Sequence, residues 1–210
     1  MPAKPKYPRV FSRSAAFWCK RVMPCGRIYA TVQAKMIDRQ VKNHTPSIFW
    51  SMEIIIRPIE PLDVTDLLEM IKDLARFEHL EREVEATPDL MNRAFFGPQP
   101  AAGALFGRFD GEAAGYAIYF FTFSSFIARQ GIWLEDIYVR PKFRKRGLGR
   151  QLIEAVAQVG VDRNCGRYEW MALNWNERAL DFYQSIGARA MKEWVMHRMN
   201  PVELRRLGGR

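Results

Sequence analysis

Apolar and polar residues follow two spacings along this chain, and the order of the resulting segments predicts a mixed α/β domain. In residues 61–78, Leu67, Leu68 and Ile71 recur at helical spacing, so one face of a helix would be apolar. Segments rich in β-branched and aromatic residues predict strands. The predicted strands are residues 53–58, 104–109, 112–122, 132–139, 167–173 and 190–199, and the predicted helices are residues 61–78, 87–96, 147–163 and 176–185.

Short turn and cap signals mark the ends of several of these elements. Thr87-Pro88 suits a helix start, because threonine can cap the helix and proline fits its first turn. Asp110-Gly111 is a strong two-residue turn signal and predicts a hairpin between the second and third strands. Gly187 is expected to close the last predicted helix. All of these elements fit one domain without internal repeats.

Charge is distributed unevenly along the chain. The 210 residues carry a formal net charge of +9, and 48% of them are hydrophobic, which is enough for one domain with a sizeable core. Residues 1–51 contain ten lysines or arginines and one acid, so they account for the whole excess. Residues 52–210 carry 22 basic and 22 acidic residues. The domain itself is therefore neutral, and we do not expect it to bind nucleic acid.

Residues 1–51 form a basic N-terminal extension without sustained helical or strand periodicity. One interpretation places the true start at Met52, directly before the first predicted strand, with an over-long reading frame upstream. The alternatives are a transit peptide or a nonspecific nucleic-acid-binding arm, and an ordered addition to the domain. We expect disorder in this extension.

Cysteine and histidine positions argue against two kinds of site. Cys19, Cys25 and Cys165 have the spacing of neither a disulfide framework nor a zinc site, and the three histidines are scattered. We therefore expect no metal, and a reducing cytoplasm as the compartment. Cys165, alone in the domain, is expected to be a small core residue. The sequence contains no apolar run that predicts a membrane span.

A basic, glycine-containing loop at residues 144–149 reads Arg-Lys-Arg-Gly-Leu-Gly and lies between a predicted strand and a predicted helix. A chain that enters a helix in this way directs unpaired backbone N–H groups and the positive end of the helix dipole at one point. The loop therefore predicts a phosphate site. It lacks the Lys-Ser or Lys-Thr of an NTPase loop and the third glycine of a dinucleotide-binding loop. An ordinary basic turn before a surface helix is the alternative.

Three motifs of the chain occur together. Residues 144–149 fit R-x-x-G-x-G, residues 134–139 read Leu-Glu-Asp-Ile-Tyr-Val, and residues 173–188 contain W-N-E-x-A-x-x-F-Y-x-x-x-G-A. They resemble the motifs of the GCN5-related N-acetyltransferases (GNAT), in the branch that acetylates diamines, polyamines such as spermidine and spermine, and thialysine. The resemblance covers roughly residues 52–199. It implies the GNAT fold, a mixed, mostly antiparallel splayed sheet flanked by helices, and a homodimer.

The resemblance also implies acetyl-CoA as co-substrate, with no metal. N–H groups of the glycine loop would hold the pyrophosphate, and the edge of the strand at residues 132–139 would pair with amides of the pantetheine arm. Asn176 also suits a helix cap, a role that needs no ligand. The residues assigned to the cofactor are Ile137, Tyr138, Val139, Arg144, Lys145, Arg146, Gly147, Leu148, Gly149, Arg150, Asn176 and Tyr183.

Two residues carry the implied catalysis. The resemblance makes Tyr183 the general acid for the leaving thiolate, although its helical spacing from Ala179 and Ile186 also fits a plain core tyrosine. It makes Glu135 the acceptor of the amine proton, with Asp136 in a supporting role. Because neighbouring strand residues point to opposite faces, we expect at most one of these two carboxylates to face the cleft. A solvated strand end is the alternative for both.

An amine substrate requires acidic and aromatic partners. The residues assigned to the substrate are Phe77, Glu78, Glu135, Asp136 and Glu193. Residues 121–126 read Phe-Thr-Phe-Ser-Ser-Phe and lack the Asp-Pro-Trp patch of the animal polyamine enzymes. Arg129 is expected near the cleft, where its guanidinium would repel long polyamines and could pair with the carboxylate of an amino-acid-like amine. This favours a small primary amine or a lysine analogue at least as strongly as spermidine.

Two further functions are open. Acetylation of a protein lysine or N-terminus would need an open groove, whereas the aromatic residues after the hairpin predict a walled pocket; these are Phe120, Phe121, Phe123, Phe126 and Trp133. A non-catalytic acyl-CoA-binding module would keep the glycine loop without turnover. The presence of both Glu135 and Tyr183 argues against such a module.

Overall fold

A five-stranded sheet forms the centre of the computed structural model, which describes residues 53–209. Neighbouring strands pair antiparallel, except that β4 and β5 are parallel. The mixed, mostly antiparallel sheet confirms the predicted fold class, while the N-terminal extension lies outside the described residues. In their order across the sheet, the strands are β1 (Ile54–Pro58), β2 (Gly103–Phe109), β3 (Glu112–Ser124), β4 (Arg129–Val139) and β5 (Tyr168–Trp170).

Helices flank this sheet. Thr87 caps the second helix as predicted, because its Oγ1 accepts a hydrogen bond from the backbone N–H of Leu90 at 3.3 Å. The helices are α1 (Val64–Glu78), α2 (Pro88–Phe96), α3 (Leu148–Asp162), α4 (Glu177–Ser185) and α5 (Pro201–Leu207), with short 3₁₀ turns at Pro61–Asp63, Glu81–Glu83 and Pro141–Phe143.

Each face of the sheet carries its own apolar core. On one face, α1 and α2 pack against the sheet, and the fully buried Leu67 and Met70 belong to the same cluster as Phe106 and Tyr116. On the other face, α3 packs through its apolar stripe. The buried side chains of that second cluster include Leu148, Leu152, Val156, Ala117, Ile132 and Leu134. The predicted apolar face of the first helix is therefore confirmed, and the sheet is covered on both sides.

Asp63 ties the start of α1 to the sheet. Its carboxylate is 1% exposed and accepts hydrogen bonds from Arg57 at 2.5 and 2.9 Å, and from Arg108 at 3.1 Å. The backbone N–H of Glu60 adds a fourth bond at 2.9 Å. Burial alone would raise the pKa of Asp63, but the hydrogen bonds outweigh it and hold that pKa below its usual value. A charged carboxylate between two arginines thus anchors the first helix.

The predicted hairpin forms about Asp110 and Gly111. Both residues have positive φ angles, 48° and 80°, as a two-residue turn of this kind requires. The side chain of Asp110 also accepts a hydrogen bond from the backbone N–H of Glu53 at 2.7 Å. The turn therefore closes β2 onto β3 and holds the beginning of the described chain beside it.

A β-bulge in β4 changes which face its side chains occupy. Asp136 lies opposite Ile118 of β3, but the next pair is Leu134 with Tyr119, so Glu135 is an extra residue without a partner. Before the bulge, Leu134 packs on the α3 side of the sheet, and after it Ile137 also packs on that side. Two residues that would otherwise point to opposite faces, Glu135 and Asp136, are thereby brought to one edge of a cavity.

The predicted last strand is wrong. Residues 190–199 pair with no strand among the described residues, and every one of them is exposed. Alternating apolar residues define a possible strand, but a strand persists only with a hydrogen-bonded neighbour. Two further elements differ: the strand predicted at residues 167–173 shrinks to β5, and α5 was not predicted. The signal for α5 is Asn200-Pro201 with Glu203, which form a capping box.

Candidate active site

A cavity of about 650 Å³ opens where β4 and β5 separate. The two strands pair over three residues each, and the last pair is Leu134 with Trp170. Beyond it β4 continues to Val139, while the chain after Trp170 leaves the sheet. Residues 135–139 therefore have no strand neighbour on that side among the described residues. The C-terminal end of α1, the glycine loop, the start of α3 and the helix α4 complete the wall of the cavity.

Most of the residues that the sequence predicted for the site line this one cavity. They come from the C-terminal end of α1, the two adjacent carboxylates and the free edge of β4, the glycine loop, and α4 with its capping residue. The predicted residues in the lining are Phe77, Glu78, Glu135, Asp136, Ile137, Tyr138, Val139, Arg144, Lys145, Gly147, Leu148, Gly149, Arg150, Asn176 and Tyr183.

Two predicted site residues are not part of that lining. The guanidinium of Arg146 lies over the ring of Phe109, 4.9 Å from its centroid. Glu193 is exposed in the extended C-terminal segment and is not among the cavity residues. The backbone of Arg146 still belongs to the glycine loop, whereas Glu193 contributes nothing to the cavity in this structure.

The structure also corrects the predicted surroundings of the cleft. Arg129 is the first residue of β4, opposite Ser124, and does not line the cavity, because five residues of strand separate it from Glu135. The aromatic wall expected from the residues after the hairpin is wrong as well, since none of those five side chains lines the cavity and Phe126 is 95% exposed. Aromatic rings from other elements line it instead: Phe77, Tyr138, Phe143, Trp170, Phe182 and Tyr183.

The glycine loop is held in place by Arg144. Its Nε donates a hydrogen bond to the carbonyl oxygen of Val139 at 2.8 Å, and its guanidinium lies over the rings of Phe77 and Tyr138, 5.8 and 5.6 Å from their centroids. Lys145 and Gly147 have positive φ angles of 63° and 89°. The loop therefore turns sharply and enters α3 directly at Leu148, with the first N–H groups of the helix facing outward from its end.

Gly149 provides a test of whether this loop fits a phosphate group. A Cβ added there would meet only Val139 Cγ2 at 3.7 Å, which is an ordinary van der Waals contact. The folded protein itself therefore does not require glycine at this position. A ligand that approaches the backbone closely does require it, as the pyrophosphate of a dinucleotide does at a comparable glycine. The loop thus fits the pyrophosphate of coenzyme A.

Three carboxylates, Glu78, Glu135 and Asp136, line the same cavity and interact electrostatically. Asp136 is partly buried and has no hydrogen-bond or ion-pair partner within residues 53–209, and burial, with the charges of Glu135 and Glu78, raises its pKa to about 6. Burial also raises the pKa of Glu78. Glu135 is exposed and accepts a hydrogen bond from the indole Nε1 of Trp133 at 3.0 Å. This group of carboxylates suits a cation.

Tyr183 lies on α4 and lines the same cavity. Its ring meets that of Trp170 edge-on, with centroids 5.2 Å apart, and the tilted ring of Phe182 at 5.7 Å. Burial, and to a smaller extent the charge of Glu78, raises the pKa of Tyr183. The phenol therefore stays protonated at neutral pH. The side chain of Asn176 caps α4 through the N–H of Ala179 at 3.3 Å, so its local role is confirmed.

Sequence reasoning missed several lining residues at the end of β5 and after it. Trp170, Met171 and Arg178 line the cavity, and only Trp170 carried a signal, as an aromatic residue inside a predicted strand.

Within residues 53–209, no group of His, Cys, Asp and Glu could hold a metal ion, and no helix there is long and apolar enough to cross a membrane. Cys165 is partly buried against the α3-side core, where burial raises the pKa of its thiol.

The fold and this cavity define an acyl-CoA-dependent acyltransferase, with a glycine loop that fits coenzyme A and a group of carboxylates in the same cavity. A family model described as the acetyltransferase (GNAT) family matches residues 66–188, more than half of the chain. The chain belongs to the GNAT family and is an acetyl-CoA-dependent N-acetyltransferase.

Two relatives agree with this assignment, and one solved structure shares the fold. The thialysine N-epsilon-acetyltransferase of Sus scrofa is 33% identical over 168 residues, which are 75% of this chain and 98% of the relative. The L-ornithine N5-acetyltransferase of Arabidopsis thaliana is 40% identical over 90 residues, 43% of this chain and 40% of the relative. A solved aminoglycoside N-acetyltransferase in complex with CoA superposes with a TM-score of 0.58 at 21% identity, covering 74% of this chain and 99% of that one.

Proposed function

We propose that this enzyme transfers the acetyl group of acetyl-CoA directly to the side-chain amine of a lysine-like amino acid or a small diamine. One observation carries the proposal: a single cavity is lined by the basic glycine loop, by the carboxylates Glu78, Glu135 and Asp136, and by Tyr183. The similarity to a thialysine N-epsilon-acetyltransferase, which covers 98% of that relative, supports the amine class.

The proposed cofactor site binds acetyl-CoA mainly through main-chain groups rather than through side chains. N–H groups of residues 146–150 would bind the pyrophosphate, where the helix dipole of α3 favours an anion. The free edge of β4 at residues 137–139 would pair with the pantetheine amides in the manner of an added strand. Asn176 lines the same cavity at the start of α4. The acetyl thioester would then lie beside the bulge in β4.

Tyr183 is proposed as the acid for the leaving group. When the C–S bond breaks, negative charge develops on sulfur, and a phenol that stays protonated can donate a hydrogen bond to it. Complete transfer to a free thiolate would be uphill, because reference pKa values are about 10 for tyrosine and about 8.5 for a thiol. We therefore assign Tyr183 its main effect while the sulfur charge develops in the transition state.

The amine end is proposed to bind a substrate ammonium. An alkyl amine with a pKa of about 10.4 arrives protonated at neutral pH. In the described residues no arginine or lysine forms an ion pair with Glu78, Glu135 or Asp136, so these carboxylates offer that cation compensation. The ring of Phe77 lines the same cavity, with the guanidinium of Arg144 over it. One of the two carboxylates at the bulge, Glu135 or Asp136, must then accept the proton before the nitrogen can attack.

A panel of amines tests this proposal. The full chain is incubated with acetyl-CoA and thialysine, lysine, ornithine, putrescine, spermidine, spermine or a lysine peptide, and thiol release is measured together with the mass of the product. We expect thialysine or another small amine to be acetylated fastest. Clear preference for spermine, or for the peptide, would contradict the proposed substrate class. Binding of acetyl-CoA without acetylation of any amine would instead indicate the non-catalytic module.

Tyr183→Phe tests the acid, and Tyr168→Phe is its matched control. Both rings contact Trp170, with centroids 5.2 and 4.9 Å away, but Tyr168 does not line the cavity. We expect Tyr183→Phe to lower kcat by about 100-fold or more, the usual effect of removing a general acid, with unchanged affinity for acetyl-CoA. Equal losses in both variants would assign Tyr183 to packing alone.

We also propose that the enzyme is a homodimer in which the C-terminal arm, residues 189–207, contacts a second copy. The arm exposes large apolar side chains that a lone chain would leave in water, and β5 is a sheet edge beside which the described chain places no other strand. The exposed apolar residues of the arm are Met191, Trp194, Val195, Met196, Met199, Val202, Leu204 and Leu207.

The mass in solution tests the dimer. Light scattering should give twice the chain mass for the full protein and a single chain mass for Trp194→Asp with Val195→Asp, while both keep the same circular dichroism spectrum. A monomeric full chain, or a double variant that remains dimeric, would exclude this interface.

A further inference from the structure

We propose that Asp136 accepts the proton of the substrate ammonium, and that Glu135 holds the ammonium in place without taking its proton. This inference rests on the proposed function and specifies the step that the proposal leaves between two adjacent carboxylates. It gives the two residues different roles because the structure gives them different surroundings.

The β-bulge creates this difference. Glu135 is the extra residue of the bulge, whereas Asp136 resumes regular pairing opposite Ile118, on the sheet face covered by α1. Both side chains nevertheless line the cavity. A regular strand would send one of them away from it. The bulge therefore presents two carboxylates to one ligand, one at the solvent side and one inside.

Their partners differ as well. Glu135 is exposed and already accepts a hydrogen bond from Trp133 Nε1 at 3.0 Å. Asp136 is partly buried, and within residues 53–209 nothing donates a hydrogen bond to it. An exposed, hydrogen-bonded carboxylate is a weak base, while a desolvated one gains from becoming neutral. With a pKa raised to about 6, Asp136 has a proton affinity closer to that of an amine than an ordinary carboxylate has.

The charged groups that affect Asp136 all raise its pKa. Glu135 adjoins it on β4, Glu78 faces it from the end of α1, and the buried hydroxyl of Tyr116 faces it from β3 without a hydrogen-bond partner in the described chain. The two carboxylates favour the protonated form of Asp136 through their negative charge. No cation of the described residues opposes them through a hydrogen bond or ion pair with Asp136. A substrate ammonium would supply the missing positive charge and then lose its proton there.

The step balances in atoms and charge. The ammonium gives one proton to the carboxylate of Asp136, and the freed nitrogen lone pair forms a C–N bond with the thioester carbonyl carbon. The C–S bond breaks, and its electron pair leaves on sulfur. The remaining excess proton on nitrogen reaches the sulfur through the hydroxyl of Tyr183, which gives one proton and takes one. Asp136 releases its proton to solvent, so the products are the acetamide, the thiol and one proton.

Matched amide variants test the assignment through the pH profile of kcat with the best amine of the panel. The wild type should lose activity on the acid side as Asp136 becomes protonated. In Asp136→Asn we expect kcat to fall about 100-fold or more and this acid limb to disappear. In Glu135→Gln we expect a higher KM for the amine, a kcat within about threefold of wild type, and an acid limb at lower pH because a neighbouring negative charge is gone.

A second substrate separates proton acceptance from folding. An amine of low pKa, such as a β-fluorinated alkylamine, arrives neutral at the assay pH, so the defect of Asp136→Asn should shrink at least about tenfold with it. Unchanged affinity for acetyl-CoA must accompany this result. Loss of kcat and of the acid limb in Glu135→Gln, with both retained in Asp136→Asn, would overturn the inference. No acetylation of any amine by the wild type would contradict the proposed function itself.

Discussion

The ring of Tyr183 meets the indole of Trp170 edge-on, with the two centroids 5.2 Å apart. Trp170 ends β5, and Tyr183 lies on α4, so this contact joins the last strand of the sheet to the helix that carries the proposed acid. It fixes where the phenol points and helps to exclude water from it. The position of the hydroxyl along the cavity therefore depends on the sheet edge as well as on its own helix.

The pH dependence of catalysis should reflect this contact. Because burial raises the pKa of Tyr183, its acid form persists above the usual tyrosine value, and kcat should decline only above pH of about 10. Trp170→Leu admits solvent to the phenol, lowers that pKa toward its ordinary value and should move the alkaline limb to lower pH. To check this shift, kcat of the wild type and of Trp170→Leu is measured at increasing pH, up to the pH at which each protein unfolds. An unmoved limb would mean that another group controls it.

Gly149→Ala should separate folding from cofactor binding. The added methyl group meets only Val139 at 3.7 Å, and replacing a helical glycine by alanine favours the folded state by up to about 1 kcal/mol. The same methyl group would stand where the pyrophosphate approaches the backbone. We expect an unchanged or higher melting temperature and an affinity for acetyl-CoA lower by at least about tenfold, measured by calorimetry.

Gly147→Ala is the control for that substitution. Gly147 has a φ of 89°, a region that strains any residue with a Cβ, so this variant should lose stability. The two neighbouring glycines thus differ in their expected effects. Equal loss of stability in both variants would show that the fold, rather than the ligand, requires glycine at position 149.

The carboxylate of Asp63 should dominate the acid sensitivity of the fold. Asp63→Asn leaves Arg57 and Arg108 without their shared anion, and breaking a buried pair in this way costs about 3 kcal/mol or more. The pKa of Asp63 is lower in the folded state than in the unfolded chain, so its contribution is complete above the unfolded value of about 4. It is lost as pH falls further, through the folded pKa.

Denaturant unfolding at pH 7 and at decreasing pH measures both effects. Lys142→Ala is a suitable control, since Lys142 forms an exposed ion pair with Glu112 and should change stability by about 1 kcal/mol at most. A small effect of Asp63→Asn at pH 7, comparable to that of the control, would contradict the anchoring role of the carboxylate.

Tyr116→Phe should not destabilise the protein. The hydroxyl of Tyr116 is completely buried and has no hydrogen-bond partner among the described residues, so its removal relieves a desolvation cost of about 1 to 3 kcal/mol while the ring remains. We expect an equal or higher melting temperature by calorimetry. Tyr116→Leu, which also removes the ring packing, should lower stability by about 2 kcal/mol or more. A large loss in Tyr116→Phe would reveal a partner for the hydroxyl.

Local chemistry explains which parts of the structure the sequence could predict. The turn at Asp110-Gly111 and the cap at Thr87 depend on a few adjacent residues, and both are confirmed. The glycine loop and the segment around Tyr183 could also be predicted from the sequence. In both, a fixed residue spacing places the functional groups at a helix start or on one helix face. These features line one cavity, as the resemblance implied.

Features that depend on distant partners could not be predicted in this way. The bulge at Glu135 is defined by its register with β3, so alternation alone gave the wrong expectation that only one carboxylate would reach the cleft. Arg129 was expected near the cleft, but the length of β4 carries it to the far end of the sheet. The segment at residues 190–199 has a strand pattern and no neighbour to pair with among the described residues.

The short pairing between β4 and β5 would couple the stability of this enzyme to its co-substrate if the proposed pantetheine position is correct. Beyond Leu134, the side of β4 that faces the cavity has main-chain groups for which the described chain provides no ladder. A pantetheine arm seated there would complete the sheet from outside the polypeptide. The concentration of acetyl-CoA would then set the melting temperature as well as the rate, so depletion of the co-substrate should leave a protein that unfolds more readily.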